Sequence, residues 1–305
     1  MINPPVAVLM STYNGEKYLI EQINSILNQS YENIHLFIRD DGSTDNTLCI
    51  LDKFVDNPKI TIIQGKKNLG YKNSFLFLLK TIINTHDDYQ YFSFSDQDDI
   101  WMKEKISMSI KYLENNNNPY RIYFSGLTFV DSDRQKLKIK DESRVITTFP
   151  AEIVRHSISG ATSVFSRNLA ELAVKYDKVK EITGGHDALI FRLNAALHGY
   201  FFADKNNYIE FRRHGNNTSS ASKSFLYKIK QELTTDDGSE LETAKFFKKY
   251  YKNILPETTL FEINLLLNYN RSFKDKWLLL TNKRFRRENK LMNVIFMYRV
   301  FLNKF

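Results

Sequence analysis

Short apolar runs alternate with helical patterns through the first third of the chain, and this alternation constrains the fold more than any other feature. Residues 6–11 have strand length, and the stretch 19–27 has apolar residues at helical spacing. The same pairing of strand and helix recurs at residues 34–54, 60–83 and 91–113. Repeated strand–helix units predict an α/β fold with a mainly parallel sheet that helices cover on both faces.

The middle of the chain is less regular and predicts a second group of elements. Strands are predicted at residues 121–129, 163–167 and 200–211, helices at 169–176 and 187–197, and a charged surface hairpin or excursion at 131–144. From Lys223 onward the pattern is helical, and a small polar linker precedes it at residues 219–222. We therefore predict a main domain at residues 1–220 and a helical C-terminal region at 221–305.

The composition of the chain indicates in which cellular compartment the protein is expected. The 305 residues are 42% hydrophobic, which is enough for a large core. No basic and apolar leader opens the chain, and no apolar stretch reaches the ~18–20 residues that cross a bilayer. The lone Cys49 suits a reducing compartment. We expect a cytoplasmic protein that is either soluble or peripheral on the inner face of the membrane.

The formal net charge of +8 lies entirely in the C-terminal region. Residues 223–305 hold 17 basic and 9 acidic side chains, whereas residues 1–222 sum to zero. Such a basic region is either a solvated helical surface or a contact for anionic lipid or nucleic acid. Nucleic acid is disfavoured because the basic residues are confined to one helical end and the core motifs are acidic.

Polar clusters follow four consecutive predicted strands. They lie at residues 11–14, 39–43, 68–70 and 96–99. Asp, Asn, Gly and Ser are ordinary turn residues, so any one cluster has a structural explanation. The carboxyl ends of parallel strands meet at one edge of a sheet, where α/β proteins bind ligands. Four clusters at that edge predict a ligand-binding cleft.

The last cluster predicts a cation. If its strand continues through Asp98, then Asp96 and Asp98 share a face and Gln97 points away. Two carboxylates this close repel each other unless a cation lies between them. Hard oxygen ligands favour Mg²⁺ or Mn²⁺, which commonly bridge to substrate phosphates.

Two glycine-rich phosphate motifs are absent from the chain. There is no Gly-x-x-x-x-Gly-Lys-Ser/Thr loop and no Gly-x-Gly-x-x-Gly after the first strand. Phosphate-loop ATPases and standard dinucleotide enzymes are therefore disfavoured, whereas a nucleotide diphosphate held by a metal stays open.

The order and spacing of these motifs resemble glycosyltransferase family 2. The resemblance covers residues 5–220, and its motifs are residues 11–15, 40–45, 68–70 and 96–101, with later ones at 185–187 and 212–217. It implies the GT-A fold, an inverting reaction and a likeness to bacterial rhamnosyltransferases of surface polysaccharide synthesis. One departure is Ala188, where family members often carry an aromatic residue.

The resemblance also implies residue roles. It assigns Asp98 and His214 to a Mn²⁺ or Mg²⁺ ion and Asp187 to the catalytic base. Six residues are assigned to the nucleotide-sugar donor: Thr12, Tyr13, Asn14, Asp41, Lys72 and Asp96. From the residues alone, Asp187 is equally suited to be the N-cap of the following helix, and His186 and His214 to be surface histidines. Asp40 and Asp45 are typical of turns and caps.

The implied reaction transfers a sugar from a nucleotide diphosphate, such as dTDP-rhamnose or a UDP-hexose, to a hydroxyl of a lipid-linked glycan. A carboxylate base suits an acceptor hydroxyl that must lose its proton during attack. The alternatives are a nucleotidyltransferase and a nucleotide-sugar-binding homologue without activity.

Residues 283–305 form the second informative segment. Seven basic residues and one acidic residue are interleaved there with apolar residues at helical spacing. A basic amphipathic helix of this kind binds anionic membranes peripherally, forms an oligomer interface or packs on its own domain. The sequence favours the membrane.

Overall fold

The computed structural model describes residues 3–154, 158–177, 182–214, 238–286 and 290–304. In these residues nine strands form one sheet, in the order β3-β2-β1-β4-β8-β6-β9-β5, with β7 paired to β6. The strands are β1 (Val6–Thr12), β2 (Ile34–Asp40), β3 (Ile60–Gln64), β4 (Tyr91–Ser95), β5 (Ile100–Trp101), β6 (Arg121–Val130), β7 (Lys136–Lys140), β8 (Val164–Ser166) and β9 (Tyr200–Arg212).

The first four strands are parallel to one another, whereas β8 runs antiparallel to its neighbours β4 and β6. The helices are α1 (Leu19–Leu27), α2 (Thr47–Leu51), α3 (Tyr71–Thr85), α4 (Lys105–Glu114), α5 (Phe149–Val154), α6 (Arg167–Val174), α7 (His186–Ala196), α8 (Ser239–Tyr250), α9 (Glu257–Asn268), α10 (Phe273–Thr281) and α11 (Lys290–Phe301). The predicted α/β fold with a mainly parallel sheet is confirmed.

The sheet has an apolar core on each face. In β1, Ala7 and Leu9 belong to one core, whereas Val6, Val8 and Met10 belong to the other. This division follows from the alternation of side chains along a strand. Because both faces are buried, the strand is apolar at every position, as the sequence shows.

The C-terminal helices pack on the main domain. Phe247 of α8 and Phe296 of α11 belong to the core that contains Ala7 and Leu9. Arg299 of α11 also pairs with Glu240 of α8 at 3.1 Å, and both side chains are buried. The predicted helices after residue 238 are therefore confirmed, but they share their core with the α/β sheet. The predicted boundary at residues 219–222 lies outside the described residues.

Local details confirm one prediction and differ from another. The charged segment 131–144 contains β7, which pairs antiparallel with β6, so the predicted hairpin is confirmed. Helix α3 begins four residues earlier than its apolar pattern, because Gly70 turns the chain into it with a φ of 77°. Only glycine adopts this left-handed region at little cost. Among the described residues, none of the helices combines the length and apolarity needed to cross a bilayer.

Candidate active site

A cleft of about 1050 Å³ opens at the carboxyl ends of the parallel strands. This is the edge at which α/β sheets bind ligands. Seven of the nine predicted site residues line it: Tyr13, Asn14, Asp41, Asp96, Asp98, Asp187 and His214. The fold thus brings together residues that are up to about 200 positions apart in the sequence.

Gln97 braces the loop that follows β1. Its side-chain oxygen accepts hydrogen bonds from the Thr12 hydroxyl at 2.7 Å and from the Tyr13 amide at 2.9 Å. Its amide nitrogen donates to the Tyr13 carbonyl at 3.2 Å. Thr12 itself is fully buried. Its hydroxyl donates to Gln97, which lines the cleft, and the contact of Thr12 with the nucleotide stays a prediction.

Asp41 lies at the base of the cleft and is held by the protein. Its carboxylate accepts hydrogen bonds from the amides of Leu69 at 2.8 Å and Gly70 at 2.9 Å, and it pairs with Arg39. Arg39 is buried and also donates to Ser74 at 2.8 Å. These bonds join the loops after β2 and β3. The sequence analysis included Arg39 in the cluster at residues 39–43 but gave it no role.

Lys72 lies away from the cleft wall. Its amine donates to the backbone carbonyl of Ile182. Burial, together with the nearby charge of Arg192, lowers the pKa of Lys72. Helix α3 carries Lys72 toward the segment before α7, and its contact with the nucleotide stays a prediction.

The acidic cluster forms a turn and not a strand. Strand β4 ends at Ser95, so the condition that the strand continues through Asp98 is not met. The bonds that Gln97 makes to the β1 loop replace strand pairing at this point. Asp96 and Asp98 are nevertheless neighbours. Burial, with the charges of Asp98 and Asp187, raises the pKa of Asp96 to about 7.

Asp99 lies beneath this turn. Its carboxylate accepts a hydrogen bond from the Arg212 amide at 3.1 Å. Burial, together with the charges of Asp96 and Asp98, raises the pKa of Asp99 well above its usual range. Three carboxyl groups are therefore crowded at this point of the cleft, and burial and mutual repulsion disfavour the ionised forms of Asp96 and Asp99.

Asp98 and His214 meet across the cleft. The Asp98 Oδ2 and His214 Nε2 atoms are 2.8 Å apart. Two ligands about 2.1 Å from one octahedral ion lie about 3 Å apart when adjacent, so this spacing fits a shared metal. In the described ranges no group of three His, Cys, Asp or Glu side chains is arranged to hold a metal. Water and substrate phosphate oxygens would complete the set.

Asp187 is fixed in the first turn of α7. Gly185 is the N-cap of this helix, so the alternative that Asp187 is the N-cap is wrong. The Asp187 carboxylate accepts hydrogen bonds from the amides of Gly160 at 3.1 Å and Ala188 at 2.9 Å. Its negative charge is also favoured by the helix N-terminus.

His186, beside it, is a packing residue and not a surface histidine. Its ring stacks on Phe75 at 3.9 Å and meets the edge of Phe94 at 4.4 Å. Because this ring is buried between aromatic side chains of α3 and β4, it holds the start of α7 against the sheet. The position of Asp187 follows from that packing.

Arg212 holds the acidic turn from below, and sequence reasoning did not assign it a role. Its guanidinium donates to the Asp98 carbonyl at 3.1 Å and to the Ser132 carbonyl at 2.7 Å, and it pairs with Glu21. It also lies over the Tyr18 ring, 4.3 Å from the centroid. Arg212 begins the Arg-Arg-His motif at the end of β9, and this position in a motif was the one sequence signal that could have indicated its role.

Residues 7–171 match the sequence profile of Glycosyl transferase family 2. The chain belongs to this family. It is also 31% identical over 230 residues to the dTDP-rhamnosyl transferase RfbG of Shigella flexneri, a match that covers 73% of this chain and 77% of that protein. The profile contains the donor-side clusters, whereas Asp187 and His214 lie beyond it.

Solved structures establish the fold. The S. aureus TarS 1-349 structure in complex with UDP-GlcNAc has a TM-score of 0.59 and 15% identity, covering 98% of this chain and 89% of that one. The mannosyltransferase PcManGT from Pyrobaculum calidifontis, in complex with GDP-Man and Mn²⁺, has a TM-score of 0.50 and 16% identity, covering 92% and 73%. The chain has the GT-A fold of these glycosyltransferases.

Proposed function

We propose that this member of the family is an inverting, metal-dependent glycosyltransferase that moves a sugar from a nucleotide diphosphate to a hydroxyl of a glycan. The observation that carries the proposal is one cleft that holds both the Asp98–His214 pair and the Asp187 carboxylate. A cation site and a fixed base are the two features that this reaction needs on opposite sides of the transferred sugar.

The donor is proposed to be dTDP-rhamnose or a UDP-hexose. RfbG, by its name a dTDP-rhamnosyl transferase, supports the first, and the UDP-GlcNAc complex of TarS supports the second. Tyr13, Asn14 and Asp41 line the part of the cleft next to β1 and β2, where we place the nucleoside. Exposed Tyr13 offers a ring face for stacking on a base.

Asp98 and His214 would hold Mn²⁺ or Mg²⁺, and a bound ion would supply positive charge against the leaving diphosphate. The side chain of Arg213 provides a second positive charge in this part of the cleft. Arg213 lines the cleft, and its guanidinium lies over the Phe129 ring, 4.2 Å from the centroid. We propose that Arg213 orients the anionic part of the donor.

Asp187 is proposed to accept the proton of the acceptor hydroxyl as that oxygen attacks the anomeric carbon. The Gly160 amide and the α7 N-terminus hold its carboxylate in place, so the base is oriented before the acceptor arrives. The neighbouring wall, with Leu127, Ile158 and Lys140, is where we place the acceptor. We propose a lipid-linked glycan of bacterial surface polysaccharide synthesis, made in the cytoplasm.

The test is release of nucleotide diphosphate from dTDP-rhamnose, UDP-glucose and UDP-GlcNAc, each measured with Mn²⁺ and with a chelator. We expect hydrolysis of one donor class only, present with Mn²⁺ and lost with the chelator. The same donor should raise the melting temperature with Mn²⁺. Hydrolysis that is indifferent to the chelator would contradict the metal role, and a failure of every nucleotide sugar to bind would contradict the proposed reaction.

A further inference from the structure

Helix α11 is apolar on two faces, and only one of them is buried in the domain. Ile295, Phe296 and Val300 are buried, whereas Val294 and Phe301 on the opposite face are 60% and 67% exposed. Tyr298 and Met297 extend the exposed face. A surface helix normally turns polar residues outward, so an outward apolar face indicates a partner.

Helix α10 continues this surface. Phe273 and Trp277, four residues apart, stack on each other and are 80% and 60% exposed. Lys276 of α10 donates to the Phe301 carbonyl of α11 at 3.1 Å, so the two helices lie side by side. We define the α10–α11 patch as Phe273, Trp277, Val294, Tyr298 and Phe301.

Cations surround the patch. Exposed lysines lie on and beside both helices: Lys274, Lys283, Lys290 and Lys304. In the described residues from 270 to 304, Asp275 is the one acidic side chain. This charge favours an anionic partner, and it opposes contact with a second copy of the same patch, which would bring like charges together.

The described charges differ from the sequence expectation. Arg299 was predicted to lie on the basic face, but it is buried and paired with Glu240. Arg284 pairs with Glu262. Fewer cations are therefore available to a membrane than the sequence suggested, whereas the exposed apolar area is larger because α10 contributes to it.

We propose that the α10–α11 patch docks on an anionic lipid bilayer, with its aromatic and aliphatic side chains in the interfacial layer and its lysines at the headgroups. Trp and Tyr favour that layer, and lysines near it are attracted by anionic lipid. We infer a bilayer as the partner because exposed aromatic rings, exposed aliphatic side chains and exposed lysines lie together on this pair of helices. This inference is independent of the proposed reaction.

The chain offers a matched pair of variants. Val294→Glu places a charge in the patch, and Val55→Glu makes the same change at a site that is 65% exposed and outside it. With vesicles of equal parts phosphatidylcholine and phosphatidylglycerol, we expect Val294→Glu to weaken co-sedimentation by about tenfold or more, and Val55→Glu to match wild type. Equal binding by all three proteins, or none by wild type, would overturn the proposal.

Fluorescence gives a second measurement. The chain has two tryptophans, Trp101, which is 3% exposed, and Trp277, which is 60% exposed. Vesicles should shift the emission to the blue, and Trp277→Phe should abolish the shift. If the shift instead follows protein concentration without vesicles, and Val294→Glu lowers the mass in sedimentation velocity, the patch is a contact between copies. Val294→Glu should hydrolyse the donor as wild type does, because Val294 lies outside the cleft. A loss of membrane binding in this variant can therefore be told apart from a failure of the proposed reaction.

Discussion

Gly160 leaves no room for a side chain beside the proposed base. A Cβ atom at this position would lie 2.4 Å from the Asp187 Cβ and 2.8 Å from its Oδ2. Ordinary contact between carbon atoms is about 3.5–4.0 Å, so in Gly160→Ala one of the two residues must retreat by about 1 Å. The φ of Gly160 lies outside the left-handed region, so the effect is purely steric.

A misplacement of about 1 Å at a reacting group costs about 10²-fold in rate. We therefore expect kcat for transfer to fall by about 10²-fold in Gly160→Ala, equivalent to ~2.7 kcal/mol of activation free energy. Donor affinity should be retained, since Asp98 and Tyr13 lie on other loops. Initial transfer rates with saturating donor measure the first quantity, and calorimetry with the nucleotide diphosphate and Mn²⁺ measures the second.

Gly238→Ala is the control. A Cβ there meets no atom of the described residues within 4 Å, but Gly238 has a φ of 62°, so the substitution costs about 1–2 kcal/mol of stability. Its kcat should equal that of wild type. If Gly160→Ala also keeps the wild-type kcat, then either the base lies elsewhere or Asp187 is not held by this contact, and the geometric reasoning fails.

Three further predictions use other parts of the molecule. Asp98→Asn should remove the Mn²⁺ dependence of nucleotide diphosphate binding in calorimetry, and unchanged metal dependence would refute the metal assignment. Asp187→Asn should lower transfer by about 10²–10⁴-fold with donor affinity intact, because an amide cannot accept the proton; near-normal rates would refute the assignment of the base. Lys105 is fully buried, and burial holds its pKa well below the usual range, so folding disfavours the charged form of the amine. Lys105→Met should therefore raise the free energy of unfolding by about 1–3 kcal/mol at neutral pH, with the gain shrinking as pH rises toward the ordinary lysine pKa, where the unfolded chain also loses the proton. Urea denaturation at neutral and alkaline pH measures this difference, and a gain that is constant with pH would contradict it.

The first strand of the sheet was predictable because its residues 6–10 form a continuous apolar run. Val6, Val8 and Met10 need one core and Ala7 and Leu9 the other, so no residue of that run is polar. The order of strands after β4 was not predictable. Strand β8 lies antiparallel to β4, and it is only three residues long. Such a short segment has too few positions to show a period.

The site was predictable where motifs adjoin strand ends and not where long side chains cross between loops. Asp98 and His214, which the resemblance assigns to one metal ion, lie 2.8 Å apart. Gln97 was expected to point away, but its side-chain amide accepts a hydrogen bond from the Tyr13 N–H and donates one to the Tyr13 carbonyl. Tertiary contacts of this kind leave no periodic signal. The same is true of Arg212, whose partners come from three separate segments.

The core that contains Ala7 of β1 also contains Val300 of α11, although these residues lie near opposite ends of the sequence. A ribosome synthesises the first strand long before it reaches that helix. This side of the sheet therefore lacks part of its cover while the chain is still being made. Contacts so distant in sequence form slowly, and apolar surface that waits for them is prone to aggregation. The nascent protein needs either protection by a chaperone or rapid completion of its C-terminal helices.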